Sequence, residues 1–329
     1  MSTNNPSPPS TSHYPIELGF PDISGYAEGN NGIPYVFSFD SGLAGPHVMV
    51  NSITHGNEVC GAITIAALLD QGIRPRRGRL TLSFANVSAY ESFDPDNPDA
   101  SRCVDQDFNR VWNRSLLNDA SQDSIELRRA RTMRPVLDTV DLLLDLHSMH
   151  ERSVPLIVCG ALDKRIAFAR SLGTPATVIS DEGHPEGRRM IDYEGFDDSS
   201  SPKNALVVEC GQHWEASAVV VAKDATARFL TMTGAVNVGD LMPGWFVPAP
   251  TSLRVIRVTE PLVATSSNFR FAESYTGLET FSQAGTVIAW QDGQPVVTPY
   301  PDCVLVMPSV RQLRPGATVA RFGRLLSDA

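Results

Sequence analysis

Positive charge is in deficit. The 329 residues carry 27 Lys and Arg against 37 Asp and Glu, a formal net charge of −10, whereas a surface built to bind phosphate backbones needs the opposite sign. No nucleic-acid partner is expected. Long apolar runs are lacking too: the stretch 136–146 is broken by Asp138, Asp141 and Asp145, well short of the roughly 20 apolar residues that a membrane span requires, so no membrane partner is expected either. Cysteine is sparse. Cys60, Cys103, Cys159, Cys210 and Cys303 are odd in number, far apart and without a CxxC pair, which argues for buried free thiols rather than a disulfide framework or a cysteine metal site. The opening MSTNNPSPPSTSHYP lacks the basic and apolar regions of a secretory signal, so residues 1–14 read as a polar disordered tail and the expected address is cytoplasmic. Self-similarity at a 20 to 50 residue period is also missing, which excludes a repeat architecture.

What is present is a globular composition, 42% hydrophobic and 19% charged, on a chain of about two domains' length. The run HVMVNSI at 47–53 reads as a strand that breaks at Thr54-His55-Gly56-Asn57, and 58–71 continues at helical spacing. Further strands are predicted over 79–87, 140–146 and 205–210, with amphipathic helices over 124–138, 164–172 and 222–232. Strands alternating with helices predict an α/β fold around a largely buried sheet. Beyond about residue 240 prolines punctuate short strands, such as 253–258, 286–290 and 303–307. The expected organisation is an α/β domain over 15–245 followed by a small all-β domain over 246–329.

Four constellations carry chemistry. His55 and Glu58 form an H-x-x-E pair where a strand hands over to a helix, a spacing that presents an imidazole and a carboxylate to one point. The plainer alternative is a helix-opening Glu paired with a nearby His. In LLLDLHSMH at 142–150 an apolar strand delivers His147, the candidate third ligand, and a His2Glu set with one open position is a catalytic zinc arrangement. Asp145, two residues earlier, points to the same side and could take the imidazole's free N–H, unless it is simply a strand-edge carboxylate in water. His150 lies beyond the strand and is the poorer candidate. In ALVVECG at 205–211 a lone Glu209 ends an apolar strand; such a site raises a carboxyl pKa, as a general base for zinc-activated water requires, although pairing with an Arg is the commoner fate of such a residue. Finally, SRCVDQDFNR at 101–110 sets Arg102 and Arg110 around a polar turn with Asn109, enough to stabilise an oxyanion and hold a carboxylate; a solvated charged loop is the bland reading.

Together these stretches, THGNE at 54–58, RCVDQDFNR at 102–110, DLH at 145–147 and VECG at 208–211, resemble the succinylglutamate desuccinylase/aspartoacylase family of the zinc carboxypeptidase-like superfamily. The resemblance runs over about residues 35–235. It implies a carboxypeptidase-like mixed β-sheet flanked by helices with a barrel-like C-terminal β domain, and one Zn²⁺ per chain held by His55, Glu58 and His147. It further implies Glu209 as general acid/base, Arg102 polarising the scissile carbonyl, and Asn109 with Arg110 holding the α-carboxylate of an amino-acid part. Tyr275 in SYTGLETF resembles a family tyrosine that reaches the pocket.

One departure bears on the substrate. Aspartoacylases place a basic residue ahead of the Glu strand for the acyl side-chain carboxylate, and here that stretch reads Ser199-Ser200-Ser201-Pro202-Lys203, which leaves only a point charge at Lys203. The segment Gln212-His213-Trp214 also differs, and His213 is a candidate substrate contact. The expected activity is therefore zinc-dependent hydrolysis of a small N-acyl amino acid or related linear amide. A peptide metallocarboxypeptidase and a non-catalytic zinc-stabilised binding protein are the alternatives, and a homodimer is the base-rate expectation for assembly.

Overall fold

The computed structural model describes residues 14–326. The expected polar tail, apart from Tyr14, lies outside the described residues. The chain divides into two units: one holds residues 16–149 and 155–255, the other residues 14–15, 150–154 and 256–326 of those described.

The larger unit contains, in chain order, β1 (Val36–Asp40), β2 (His47–Ser52), α1 (Val59–Asp70), β3 (Arg79–Phe84), α2 (Val87–Glu91), α3 (Arg114–Asn118), α4 (Ile125–Leu137), β4 (Leu142–Met149), β5 (Leu156–Cys159), α5 (Asp163–Leu172), β6 (Thr177–Ser180), β7 (Asn204–Gln212) and α6 (Ala216–Met232). Its strands lie in the order β1-β3-β2-β4-β7-β5-β6. The centre, β3-β2-β4-β7, is parallel, β5 runs antiparallel to β7 and parallel to β6, and β1 is antiparallel to β3. This is the expected mixed α/β sheet flanked by helices. Every residue of β2 and all but the first of β4 and β7 are buried, as required where both faces of a sheet are covered. The central strands are parallel, so β2, β4 and β7 release their following residues at one edge, where ligands bind in open α/β sheets.

The opposite edge is built for stability. His47 opens β2 with both ring nitrogens engaged: Nδ1 lies 3.0 Å from Thr139 Oγ1 and Nε2 2.8 Å from Thr81 Oγ1. The Thr139 hydroxyl already donates to Val136 O, so Nδ1 carries the hydrogen and Nε2 accepts, which is the neutral ring. Burial, reinforced by the charge of Arg79, pushes the His47 pKa down to about 4. The folded-state value lies below the unfolded value of about 6.5, so the unfolded chain takes the proton first as pH falls, and stability is lost from about pH 6.5 down to about 4. We expect about 2 to 3 kcal/mol less stability at pH 4.5 than at pH 7 from this group. Urea unfolding of wild type and His47→Asn at both pH values checks it: the variant should show the smaller loss, and equal losses would clear His47 of the effect.

The smaller unit holds all but the first two residues of β8 (Arg254–Val263), with β9 (Phe269–Phe271), β10 (Thr280–Phe281), β11 (Val287–Gln291), β12 (Gln294–Val297), β13 (Cys303–Val306) and β14 (Thr318–Leu326). Antiparallel pairs β10-β13-β14 and β12-β11-β9 dominate it, around a core of Ile288, Cys303, Leu305, Ala320 and Phe322. Tyr14 is anchored here, its hydroxyl donating to Glu151 Oε2 at 2.8 Å. All five cysteines are free thiols, four of them buried and Cys103 partly exposed. No helix among the described residues is long and apolar enough to cross a membrane.

Candidate metal centre and active site

The His55–Glu58 pair sits in the turn between β2 and α1. Ile53 ends the strand with a positive φ of 47°, and Glu58 is the N-cap residue of α1. Gly56 has no room for a side chain: a Cβ there would overlap the backbone of Ala89 and Ser101. Its amide instead donates to Arg102 O at 3.2 Å, so the glycine docks the 101–110 loop onto this turn.

His147 comes from the neighbouring strand. Strand β4 continues two residues past it, to Met149, and a register shift against β7 follows immediately, with Gly211 at φ 123° on the facing strand. The structure brings His55, Glu58 and His147 together, all buried, with one ligand atom from each within 4.8 Å of the others. Glu58 stands between the two imidazoles, with Oε1 2.7 Å from His55 Nδ1 and Oε2 2.9 Å from His147 Nδ1.

The far side of each ring faces a carboxylate. His147 Nε2 lies 2.8 Å from Asp145 Oδ2, and Asp145 is wholly buried. Asn51 Nδ2 and the Thr54 hydroxyl donate to the other oxygen of Asp145 at 2.8 and 2.9 Å. His55 Nε2 lies 3.0 Å from Asp107 Oδ1. With each Nε2 directed at a carboxylate, both Nδ1 atoms are turned to the Glu58 side, the orientation in which a carboxylate partner holds a metal-ligating histidine. Two imidazoles and one carboxylate, each with a supporting partner, fit a divalent metal such as zinc.

Electrostatics follow the same alternation of charge. Burial alone would raise the Glu58 carboxyl, but His55 and His147 outweigh it and hold it well below the usual range. For His147, burial pulls the other way and is outweighed by Asp145 and Glu58, which raise it well above the ordinary imidazole value. Asp107 was not singled out from the sequence, yet it ties the loop together. Its Oδ2 lies 3.0 Å from Arg102 and 3.9 Å from Arg110, and its Oδ1 accepts from the Asn109 amide at 2.8 Å. Burial opposes ionisation of Asp107, and Arg102, His55 and Arg110 together keep its pKa well below that of an ordinary carboxyl. The signal was its place in D-F-N-R, two residues before Asn109 and three before Arg110.

Glu209 sits on β7 directly beside His147 in register. Its Oε2 is buried without a hydrogen-bond partner among the described residues. Burial pushes its carboxyl up to about 8, with the positive charge of His147 opposing and the negative charge of Glu58 adding. Arg102 reaches Glu58 at 3.7 Å, so Arg102 and the His-Glu-His group adjoin. Asn109 accepts the Met190 amide at 2.8 Å through Oδ1, and Arg110 lies 3.9 Å from Glu186.

Three other candidates have partners of their own. Lys203 precedes β7, six positions ahead of Glu209 or roughly 20 Å along an extended strand, and its ammonium donates to Asp138 O at 2.7 Å; it belongs to the opposite edge of the sheet. His213 is fully buried, its Nδ1 2.8 Å from Ser148 Oγ. Tyr275 belongs to the smaller unit, half-buried and edge-on to Phe271 and Phe281 at 5.8 and 5.7 Å.

Comparison with known proteins bears on this arrangement. The family model described as the succinylglutamate desuccinylase/aspartoacylase catalytic domain matches residues 44–235, more than half of the chain. No curated protein matches. Among solved structures, a succinylglutamate desuccinylase/aspartoacylase from Rhodobacter sphaeroides is similar at TM-score 0.64 and 17% identity, over 90% of each chain. An aspartoacylase family protein from Mesorhizobium loti aligns at TM-score 0.62 and 19% identity, covering 92% of this chain and 93% of that one. The ectoine utilization protein EutE (DoeB) from Ruegeria pomeroyi, solved with product bound, aligns at TM-score 0.61 and 16% identity, over 88% of each. At these identities the structural likeness speaks to the fold.

Proposed function

The chain belongs to the succinylglutamate desuccinylase/aspartoacylase family, and from that premise we propose that it is a zinc-dependent amidohydrolase acting on a small N-acyl amino acid or related linear amide. The observation that carries the reading is Glu209, a buried carboxylate with an unpartnered oxygen, set in register beside His147 of the His-Glu-His group. A metal scaffold without turnover has no use for such a group, because leaving a buried acceptor unpaired costs about 1 to 3 kcal/mol.

His55, Glu58 and His147 would hold one zinc ion. When bound, zinc supplies a Lewis acid that polarises the amide carbonyl and acidifies water. Glu209 Oε2 takes a proton from the attacking water and returns it to the departing nitrogen. Arg102 offers its guanidinium to the oxygen of the scissile carbonyl, where negative charge grows as the tetrahedral centre forms. Asn109 and Arg110 hold the carboxylate of the amino-acid part, with Asp107 keeping both arginines in place. Lys203 bonds at the far edge of the sheet, so no acyl-side carboxylate is assigned to it.

A hydrolysis screen tests the proposal. The zinc-loaded chain and a chelator-treated sample are offered a panel of N-acyl amino acids and aryl amides. Chelator-sensitive release of an amine from the N-acyl amino acids is the expected result. Turnover that survives complete zinc removal would sink the metal assignment, and a zinc-loaded chain inert to the whole panel would favour the scaffold.

A further inference from the structure

Glu126 occupies the first turn of α4, outside every motif discussed above, and is completely buried. Buried carboxylates are rare and need partners, and this one has four. Its Oε1 accepts from Val104 N at 2.7 Å and from Asn86 Nδ2 at 3.3 Å; its Oε2 accepts from Asp105 N at 3.1 Å and from Gln106 N at 3.2 Å. Three consecutive backbone N–H groups therefore close around one carboxylate. They are the only residues besides Cys103 between Arg102 and Asp107. The loop reciprocates, since Asp105 Oδ2 accepts from Ile125 N at 2.8 Å and the Gln106 amide donates to the Ser124 hydroxyl.

We propose that Glu126 is a positioning residue for the reaction: by gathering the 104–106 amides it fixes the loop that points Asp107 at His55 and Arg102 at Glu58. Charge-assisted bonds to successive amides are about twice as strong as neutral ones. Without them the segment would depend on the Gly56 contact, its ion pairs and the Asp105 and Gln106 side-chain bonds to the start of α4. The inference rests on the amidohydrolase reading, because it assigns the loop's side chains to that site.

Glu126→Gln tests it. The side chain keeps its size, but an amide nitrogen would face N–H donors. Exchange of the Val104, Asp105 and Gln106 amide hydrogens should accelerate about tenfold or more in the variant while β2 and β4 stay protected. Zinc affinity and kcat/KM should fall about 10- to 100-fold, with partial recovery in Glu126→Asp. If the effect runs through Asp107, adding Glu126→Gln to Asp107→Asn should weaken zinc no further than Asp107→Asn alone. Should the Gln variant fail to fold, Glu126→Asp carries the same exchange and zinc measurements. Unchanged exchange at the three amides, or zinc affinity indistinguishable from wild type, overturns the inference. A wild-type chain that binds zinc but hydrolyses nothing overturns the amidohydrolase reading and leaves the zinc cycle to judge Glu126; one that takes up no zinc overturns both.

Discussion

Glu209→Gln should retain zinc at about one per chain and lose activity by about 10²- to 10⁴-fold, the range that a positioned general acid/base contributes. Glutamine reproduces the size and shape of the side chain in a site where burial opposes charge, so the melting temperature should move little. The loss should fall on kcat, because Glu209 handles the proton rather than holding substrate. Parallel measurement of zinc content, thermal unfolding and kcat separates the outcomes. An active, zinc-replete Gln variant would remove Glu209 from the mechanism, whereas a variant that also loses zinc would make it part of the metal's surroundings instead.

Removing a proposed ligand should have the opposite signature. His147→Ala is expected to drop bound zinc far below one per chain after dialysis and to abolish chelator-sensitive hydrolysis. A His2Glu site left with two protein ligands has neither the geometry nor the affinity of the three-ligand set. The substitution also strips Asp145 of its ring partner inside the sheet, although Asn51 and Thr54 continue to bond its other oxygen; some stability is lost with it. Metal analysis of the dialysed protein decides the matter, and undiminished zinc would mean that His147 is not a ligand.

Much of this was legible in the sequence because the chemistry sits where element types change. Thr54 to Glu58 ends one apolar strand and opens a helix, and His147 and Glu209 each follow an apolar run in two others. Alternation of strand and helix was enough to give the fold class. Residues that act across the chain were harder to read. Asp107 reaches His55 over 52 positions and Glu126 reaches Val104 over 22, distances that no local periodicity encodes. Boundaries moved for physical reasons as well. Helix α6 begins at Ala216, six residues before the expected start, because Val219, Val220 and Val221 favour a strand locally while packing of Ala218 and Ala222 into the core decides for the helix. Strand β4 outruns its apolar pattern, since the buried polar pair Asp145 and His147 satisfy one another inside the sheet.

The uneven sealing of the thiols gives the 101–110 loop a reporter of its own. Four sulfurs are enclosed in the body of the chain, and Cys103, one residue past Arg102 and one before the first amide held by Glu126, is partly open. Burial raises its pKa and so slows alkylation in the native state. An uncharged alkylating agent offered to the folded protein would therefore label this position first. The rate of that labelling would time the loosening of the segment next to the metal group, in unmodified protein and without knowledge of the substrate.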